Sequence, residues 1–167
     1  MNNPPLFYEV QQFRQWWIYL MLLLIITTSI LPVYQVLMVN PVPNSGAGSY
    51  FPLLLAPVIT IAAVFFLLSI KLATSITQEG ILIRLSPFVK RFIPWEEVEK
   101  AYVRTYRPIL EYGGWGIRFG AGGSRAYNIS GNQGLQLVLK NGKKILVGTQ
   151  KTESLALVLR NLGFSNP

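Results

Sequence analysis

Apolar and polar residues are segregated along this chain into two blocks with different periodicity. Residues 16–39 and 51–72 are two nearly uninterrupted apolar runs, and from residue 73 onward short apolar runs alternate with turn formers. A helix needs about 20 apolar residues to cross a bilayer, whereas short alternating runs are typical of strands. The pattern therefore predicts two membrane-spanning helices followed by a β-rich domain over residues 73–167.

The flanks of the two apolar runs have the composition expected at a membrane surface. Arg14, Trp16 and Trp17 lie at the start of the first run, and Lys71 lies at the end of the second. Basic and aromatic side chains anchor helices at the membrane–water interface. Residues 40–50 are rich in Asn, Pro, Gly and Ser, so we expect a short loop and an antiparallel helical hairpin. A cleaved signal peptide is the alternative for the first run, but that run is long and a second one follows it.

The charges indicate which side of the membrane the domain occupies. The chain has 15 Lys and Arg against 7 acidic residues, a net charge of +8, and all the cations except Arg14 follow residue 70. Loops rich in Lys and Arg stay in the cytoplasm. We therefore expect a multi-pass protein of the cytoplasmic (inner) membrane with both termini in the cytoplasm.

The N-terminal segment, residues 1–15, has a helical spacing of apolar residues. Leu6, Val10, Phe13 and Trp17 follow one another at intervals of four, three and four residues. This spacing predicts one apolar face of a helix. The helix is either interfacial, running into the first span, or an ordinary cytosolic extension of that span.

The C-terminal part is predicted to contain seven or eight short strands and one helix. Strands are predicted over residues 81–85, 89–93, 98–106, 116–119, 125–129, 135–140 and 143–147. Asn141 and Gly142 predict a two-residue hairpin turn, since both residue types tolerate positive φ. An apolar stripe of Leu155, Val158, Leu159 and Leu162 predicts a helix over residues 152–162, with Thr152 as its N-cap.

Composition removes several kinds of chemistry. The chain contains no Cys and no His, and all of its acidic residues are Glu. Catalytic triads, zinc sites with Cys or His ligands and histidine pH switches are therefore excluded. Glu96, Glu97 and Glu99 are the only acidic cluster, and the alternation of Glu97 and Glu99 along a strand predicts that both face solvent. We expect no catalytic residue, no metal site and no cofactor.

Two stretches of the C-terminal part resemble a known family. The segment Arg91-Phe92-Ile93-Pro94-Trp95-Glu96-Glu97-Val98 is similar to the part of pleckstrin-homology-like (PH-like) domains where Pro-Trp leads from one strand into the next. With the stretch from Gly114 to Gln150, it resembles small bacterial membrane proteins that have two N-terminal transmembrane helices and a PH-like domain. The resemblance implies an α+β fold, with an antiparallel β-sandwich or partly open barrel of about seven strands capped by a C-terminal helix. It implies a location and not a reaction.

Two kinds of contact surface follow from the sequence. We expect these residues to contact the membrane surface: Arg14, Trp16, Trp17, Lys71, Lys90, Arg91, Lys143 and Lys144. Near-surface cations are attracted to anionic lipid, although Lys at strand edges also serves simply to prevent edge pairing. Trp115, between glycines, is either a contact for a protein partner or a residue of the core or of the membrane interface. The loop at residues 77–80 has no Lys or Arg, which argues against specific phosphoinositide binding, and no nucleic-acid-binding module is recognisable.

Three functions are consistent with these features. The first is a non-enzymatic interaction or scaffold protein that holds a PH-like domain at the cytoplasmic membrane surface and binds an unidentified protein partner. The second is an accessory subunit of a transporter or channel, although neither span contains an ionisable residue to line a path. The third is a small membrane enzyme, against which the absence of His, Cys and Asp counts. We favour the first.

Overall fold

The computed structural model describes residues 4–39 and 51–164 of the chain, and these form two compact units. One unit is Phe13–Ser69, and the other joins the residues up to Gln12 with those from Ile70 onward. The predicted loop at residues 40–50 lies outside the described residues.

The first unit consists of two apolar helices that contact each other. Helix α1 is Trp16–Tyr34 and continues as a π-helical segment, Gln35–Val39, and helix α2 is Phe51–Ser69. The hydroxyls of Thr27 and Thr28 donate hydrogen bonds to the carbonyls of Leu23 and Leu24, and Ser29 bonds to Ile26 in the same way. These bonds satisfy polar groups inside an apolar helix.

The two helices match the two predicted membrane spans to different extents. Among the described residues, one helix, Trp16–Val39, is long and apolar enough to cross a membrane, and this range coincides with the predicted first span. The second predicted span, residues 51–72, is too long at its C-terminal end. Helix α2 ends at Ser69 because Lys71 and Leu72 enter a strand.

The second unit contains two sheets. Sheet I has four antiparallel strands in chain order: β1 (Phe7–Gln12), β2 (Lys71–Ile76), β3 (Gly80–Ser86) and β4 (Val89–Pro94). A short 3₁₀ turn, Trp95–Glu97, leads from β4 into the second sheet. Sheet II has the order β5-β8-β9-β7-β6, with β5 (Val98–Thr105), β6 (Gly116–Phe119), β7 (Arg125–Asn128), β8 (Gln133–Leu139) and β9 (Lys144–Gly148). All pairs are antiparallel except β7 with β9.

The helix expected at residues 6–17 is wrong, because β1 occupies this segment and pairs with β2. Phe7, Glu9 and Gln11 are buried on one face of β1, while Leu6 and Val10 of the expected helical stripe are each 44% exposed. A strand buries every second residue, and Glu9 and Gln11 are tolerated inside because remote groups bond to them. The N-terminal segment is therefore part of the β domain, although both helices separate it in sequence from the other strands.

The core of this unit comes from the inward faces of both sheets and from the last helix. Its buried residues include Ile76, Ile81, Ile83, Leu135, Leu137, Ile145 and Val147. Helix α4 (Thr152–Asn161) buries Leu155 and Leu159 and contacts β1 and β5. The helix was predicted one residue too long, and its N-cap is Lys151 instead of Thr152. A further short helix, α3 (Pro108–Tyr112), was not predicted; it ends at Gly113, whose φ is 71°.

The β8–β9 hairpin is confirmed, but its turn differs from the prediction. Leu139 accepts a hydrogen bond from the N–H of Gly142, so Lys140 and Asn141 are the central residues of a tight turn. Gly142 follows with φ of 79°, and the N–H of Leu139 bonds to the carbonyl of Lys143. This is a three-residue loop with glycine in the left-handed position, so the predicted two-residue turn is wrong.

Candidate functional site

A basic cleft lies on the side of the β domain where sheet I and sheet II are open to each other. Its volume is about 550 Å³. One wall comes from the edge strand β4, and the other comes from β6, β7, β9 and the turn before β9. The lining residues are Val89, Lys90, Arg91, Ile117, Phe119, Gly123, Arg125, Tyr127, Lys143, Lys144 and Ile145.

The wall formed by β4 carries two successive cations. Arg91 pairs across the sheet with the buried Ile83 and is half-buried, whereas Lys90 pairs with Arg84 on the outer face and is exposed. Consecutive residues of a strand point to opposite faces, but at an edge strand both can reach the space beyond the edge. Both side chains therefore line one cleft.

The opposite wall carries a cation held against an aromatic ring. Arg125 and Phe119 are cross-strand partners in the β6–β7 hairpin, and the guanidinium carbon of Arg125 lies 5.2 Å from the centre of the Phe119 ring. This is the geometry of a cation–π interaction. The ring fixes one face of the guanidinium, so the N–H groups on its edge stay available to a ligand. On its other side Arg125 pairs with the buried Ile145 of β9, and this is the first residue pair between β7 and β9.

Two further cations come from the β8–β9 turn. Lys143 and Lys144 follow Gly142, and both are exposed. The side chain of Asn141 accepts a hydrogen bond from the backbone N–H of Lys143 at 3.1 Å, which fixes the path of the turn. The turn thus presents two ammonium groups beside Arg125.

The charge of this cleft is not compensated from within the domain. Five of its lining residues are Lys or Arg, and none is acidic. In the part of the chain that the structure describes, none of the five makes an ion pair. Several like charges around a concave surface produce a positive potential that attracts anions. The arrangement is suited to binding an anionic group and offers no acid–base pair for catalysis.

The strand register places this cleft near the points where the chain enters and leaves the helical unit. Gln12, the last residue of β1, is opposite Lys71, and Lys71 is opposite Ser86 at the end of β3. The β3–β4 turn follows Ser86, so the wall of the cleft at residues 89–91 begins at this end of sheet I. Phe88 in the turn is 53% exposed.

The structure brings together four of the residues that the sequence predicted as surface contacts: Lys90, Arg91, Lys143 and Lys144. Lys71 is exposed at the start of β2 and does not line the cleft. Arg14 precedes α1, and Trp16 and Trp17, 73% and 42% exposed, open that helix. Trp115 is half-buried, and its indole N–H donates to the carbonyl of Gly131 at 3.1 Å.

Sequence reasoning missed Arg125, Phe119 and Tyr127 as members of the site. The signal for the first two was present, because residues 116–119 and 125–129 were predicted as a hairpin around Gly120. Pairing the ends of that hairpin places Phe119 opposite Arg125, as observed. Their meeting with Lys90 and Arg91 depends on how two sheets pack, which no local pattern indicates.

A second cavity, of about 490 Å³, lies on the other face of sheet II beside α3. It contains an ion pair, in which Arg104 contacts Glu111 at 2.7 Å, and Glu111 also accepts a hydrogen bond from the N–H of Arg107. The hydrogen bond from Arg104 is the main reason that the pKa of Glu111 is lowered. Beneath α3, burial raises the pKa of Tyr106, whose hydroxyl accepts a hydrogen bond from Asn128. Lys144 lines this cavity as well as the basic cleft, but the other cation, Arg104, is already paired with Glu111, so this cavity is a weaker candidate for an anion.

The acidic residues of the described chain are dispersed in sequence apart from Glu96, Glu97 and Glu99. No group of three or more His, Cys, Asp or Glu among them is arranged to hold a metal ion. Glu96, Glu97 and Glu99 are all exposed, as predicted for a solvent-facing cluster.

Comparisons of this chain with protein-family models, curated proteins and solved structures gave no match.

Proposed function

We propose that this protein is a membrane-anchored, non-enzymatic interaction module of the cytoplasmic membrane. In this proposal α1 and α2 cross the bilayer as a helical hairpin, and both chain termini are cytoplasmic. The β domain is a PH-like module that is held at the membrane surface, where it meets its partner. The basic cleft is the surface through which it acts.

The pairing of β1 with β2 is the observation that carries the proposal. These adjacent strands lie on either side of the whole helical segment in the sequence, and Gln12 is opposite Lys71. Only residues 13–15 separate β1 from α1, and only Ile70 separates α2 from β2. A domain that the chain leaves and rejoins at neighbouring positions lies on one side of a membrane. The chain between those positions therefore crosses an even number of times, which supports two spans.

The exposure of the apolar helices also supports two membrane spans. Large side chains along α1 and α2 are exposed within the described residues, among them Leu23, Leu24, Val58 and Phe65. A water-soluble protein rarely exposes a continuous apolar surface of this size. Hydrocarbon is the environment that such helices require. The charge asymmetry supports the orientation, because residues 40–50 contain no Lys or Arg and the β domain is strongly basic.

Single-cysteine labelling in intact cells tests the topology without background, because the natural chain has no Cys. We expect a membrane-impermeant maleimide to label Ser45→Cys in intact cells. Pro167→Cys, and Ser154→Cys on the exposed side of α4, should be labelled only after the cells are permeabilised. Labelling at 154 and 167 but not at 45 would reverse the orientation. Labelling of all three positions, or of none until permeabilisation, would contradict a two-span hairpin.

A further inference from the structure

We propose that the basic cleft binds the phosphate of anionic phospholipid headgroups in the membrane that anchors the domain. This inference rests on the proposed function, because it takes α1 and α2 to cross that membrane. It names the ligand of the cleft and the residues that hold it.

The cleft has the size and the donors that such a headgroup requires. Its volume of about 550 Å³ falls in the range of small-ligand sites, roughly 300–1,000 Å³. Arg91 and Arg125 present planar guanidinium groups from opposite walls, and a guanidinium binds phosphate oxygens in a bidentate manner. Lys143 and Lys144 add ammonium groups at the rim. The cleft therefore combines directional donors at its walls with a general positive field.

One wall of the cleft lies at the end of sheet I from which the chain continues into the helices. The wall at residues 89–91 begins at the end of sheet I where Gln12 and Lys71 pair. In the proposed topology this end is joined to the bilayer by residues 13–15 and by Ile70 alone. Short connections keep the headgroups at high local concentration around the cleft, so even weak binding is populated.

One cross-strand pair is unfavourable in the domain alone and is relieved by an anion. Arg84 and Lys90 are directly opposite each other on the outer face of sheet I, and both are exposed. Like charges directly opposite on a sheet destabilise it. A layer of phosphate groups beside this end of the sheet would neutralise the repulsion. The pair therefore supports an anionic surface as the neighbour of β4.

Exposed aromatic rings favour a lipid headgroup over a soluble phosphate as the ligand. Phe119 lines the cleft and is 69% exposed, and Phe88 in the adjacent β3–β4 turn is 53% exposed. Aromatic side chains beside cations match a membrane surface, where the ring enters the apolar layer and the cation stays at the phosphates.

Hydrogen exchange of the full-length protein in lipid nanodiscs tests the inference. Exchange is compared between discs of phosphatidylcholine alone and discs that also contain phosphatidylglycerol, in peptides covering β4 and β9. We expect phosphatidylglycerol to slow exchange in these peptides by about fivefold, the effect of roughly one near-surface charge interaction. Peptides of α4 should not change. Inorganic phosphate added to phosphatidylcholine discs should not reproduce the protection.

Two double variants identify the cations responsible. Arg91→Gln with Arg125→Gln removes the directional donors, and Lys143→Gln with Lys144→Gln removes two exposed rim charges with little risk to folding. If the five cations share the fivefold effect equally, each double variant should leave about two- to threefold protection, because separate charges contribute additively to the free energy. The matched control, Lys100→Gln with Lys140→Gln, removes the same charge from exposed positions outside the cleft and should leave the protection unchanged.

Several results would overturn the inference. These are equal exchange in the two kinds of disc, protection by inorganic phosphate alone, or equal loss of protection in the control and cleft variants. Protection by a soluble polyglutamate peptide but not by phosphatidylglycerol would assign the cleft to an acidic protein segment instead. In each case the protein is still incorporated in discs, so a failure of the lipid inference is distinct from a failure of the membrane hairpin.

Discussion

The carboxylate of Glu9, in the first strand, accepts a 2.6 Å hydrogen bond from the hydroxyl of Thr149, 140 residues further along the chain. The same carboxylate accepts a hydrogen bond from the N–H of Gln150 at 2.8 Å and another from the side chain of Gln11. Gln11 in turn donates to the carbonyl of Gly148 at 2.7 Å. Buried polar groups are stable only when they are paired, so this network fastens β1 to the segment between β9 and α4.

We therefore predict that Glu9→Ala strongly destabilises the β domain. The change leaves the buried hydroxyl of Thr149 and the part-buried backbone N–H of Gln150 without this acceptor, at a cost of about 3 kcal/mol, since each such group costs roughly 1–3 kcal/mol. Glu9→Gln keeps one acceptor oxygen and should cost about half as much. Thermal unfolding of the full chain in detergent, followed by near-ultraviolet circular dichroism, measures the effect. Glu153→Gln, on the exposed side of α4, is the control, and equal midpoints for it and Glu9→Ala would contradict the prediction.

The turn between β8 and β9 gives a second prediction. Gly142→Val should destabilise the domain by about 1–2 kcal/mol, because a β-branched residue resists the left-handed conformation that Gly142 adopts. Gly142→Asn is the matched control, since Asn tolerates that conformation and should lose much less. Chemical denaturation of both variants tests the comparison. If the two variants lose the same stability, the turn does not have the conformation described.

Trp95 gives a third prediction, at the corner between the two sheets. Its indole N–H donates to the carbonyl of Thr77 at 3.0 Å, and its ring lies 5.1 Å from the ring of Phe164, measured between centroids. Trp95→Phe keeps an aromatic ring but loses the hydrogen bond and should cost about 1 kcal/mol. Trp95→Ala should cost about 3 kcal/mol.

Trp16→Phe, at the exposed start of α1, serves as the control for this pair. Its unfolding midpoint, monitored in the β domain, should equal that of the unmodified protein. Similar midpoints for Trp95→Phe and Trp95→Ala would show that the ring contributes nothing at this corner.

The Arg104–Glu111 pair gives a prediction about pH. The hydrogen bond from Arg104 lowers the pKa of Glu111 in the folded state. A carboxyl whose folded pKa is depressed stabilises the fold above its unfolded pKa, about 4.3, and loses this contribution as the pH falls through the folded value. The pair is partly exposed, so the contribution is less than about 1 kcal/mol and acts locally on α3.

Amide exchange of α3 from about pH 6 to about pH 3 measures this effect, because the range spans the unfolded pKa of Glu. The rates are corrected for the intrinsic pH dependence of exchange. We expect α3 to open more readily at the acidic end, and Glu111→Gln to remove the pH dependence. Glu99→Gln, an exposed residue on β5, should leave it in place. An unchanged pH dependence in Glu111→Gln would assign it to another group.

The elements that the sequence predicted are those whose signals are local. The β6–β7 and β8–β9 hairpins are built from adjacent residues, and α4 carries its apolar stripe within ten residues. Short-range turn chemistry and periodicity suffice for such elements. Even α3 had a readable signal, with Pro108 at its start and Gly113 at its end, the asymmetry typical of short helices.

The first strand could not be predicted in the same way. Its apolar and polar positions are largely the reverse of its burial, since Glu9 and Gln11 are buried while Val10 is exposed. Its strand partner, β2, begins only at Lys71. The burial of Glu9 depends on Thr149, which is further away still. The candidate site has the same limit: each cation is visible in the sequence, but their convergence requires the packing of both sheets.

The position of β1 has a consequence for how the chain is made. During synthesis β1 leaves the ribosome before either helix, and its partner β2 follows only after both helices have been completed. Strand pairing across so long a separation is slow to form, since closure of the intervening chain costs entropy. In the proposed topology, insertion of the two helices would bring Gln12 and Lys71 to the same membrane face before they pair. The intervening chain would then already be closed, so most of that entropic cost would be met by the membrane.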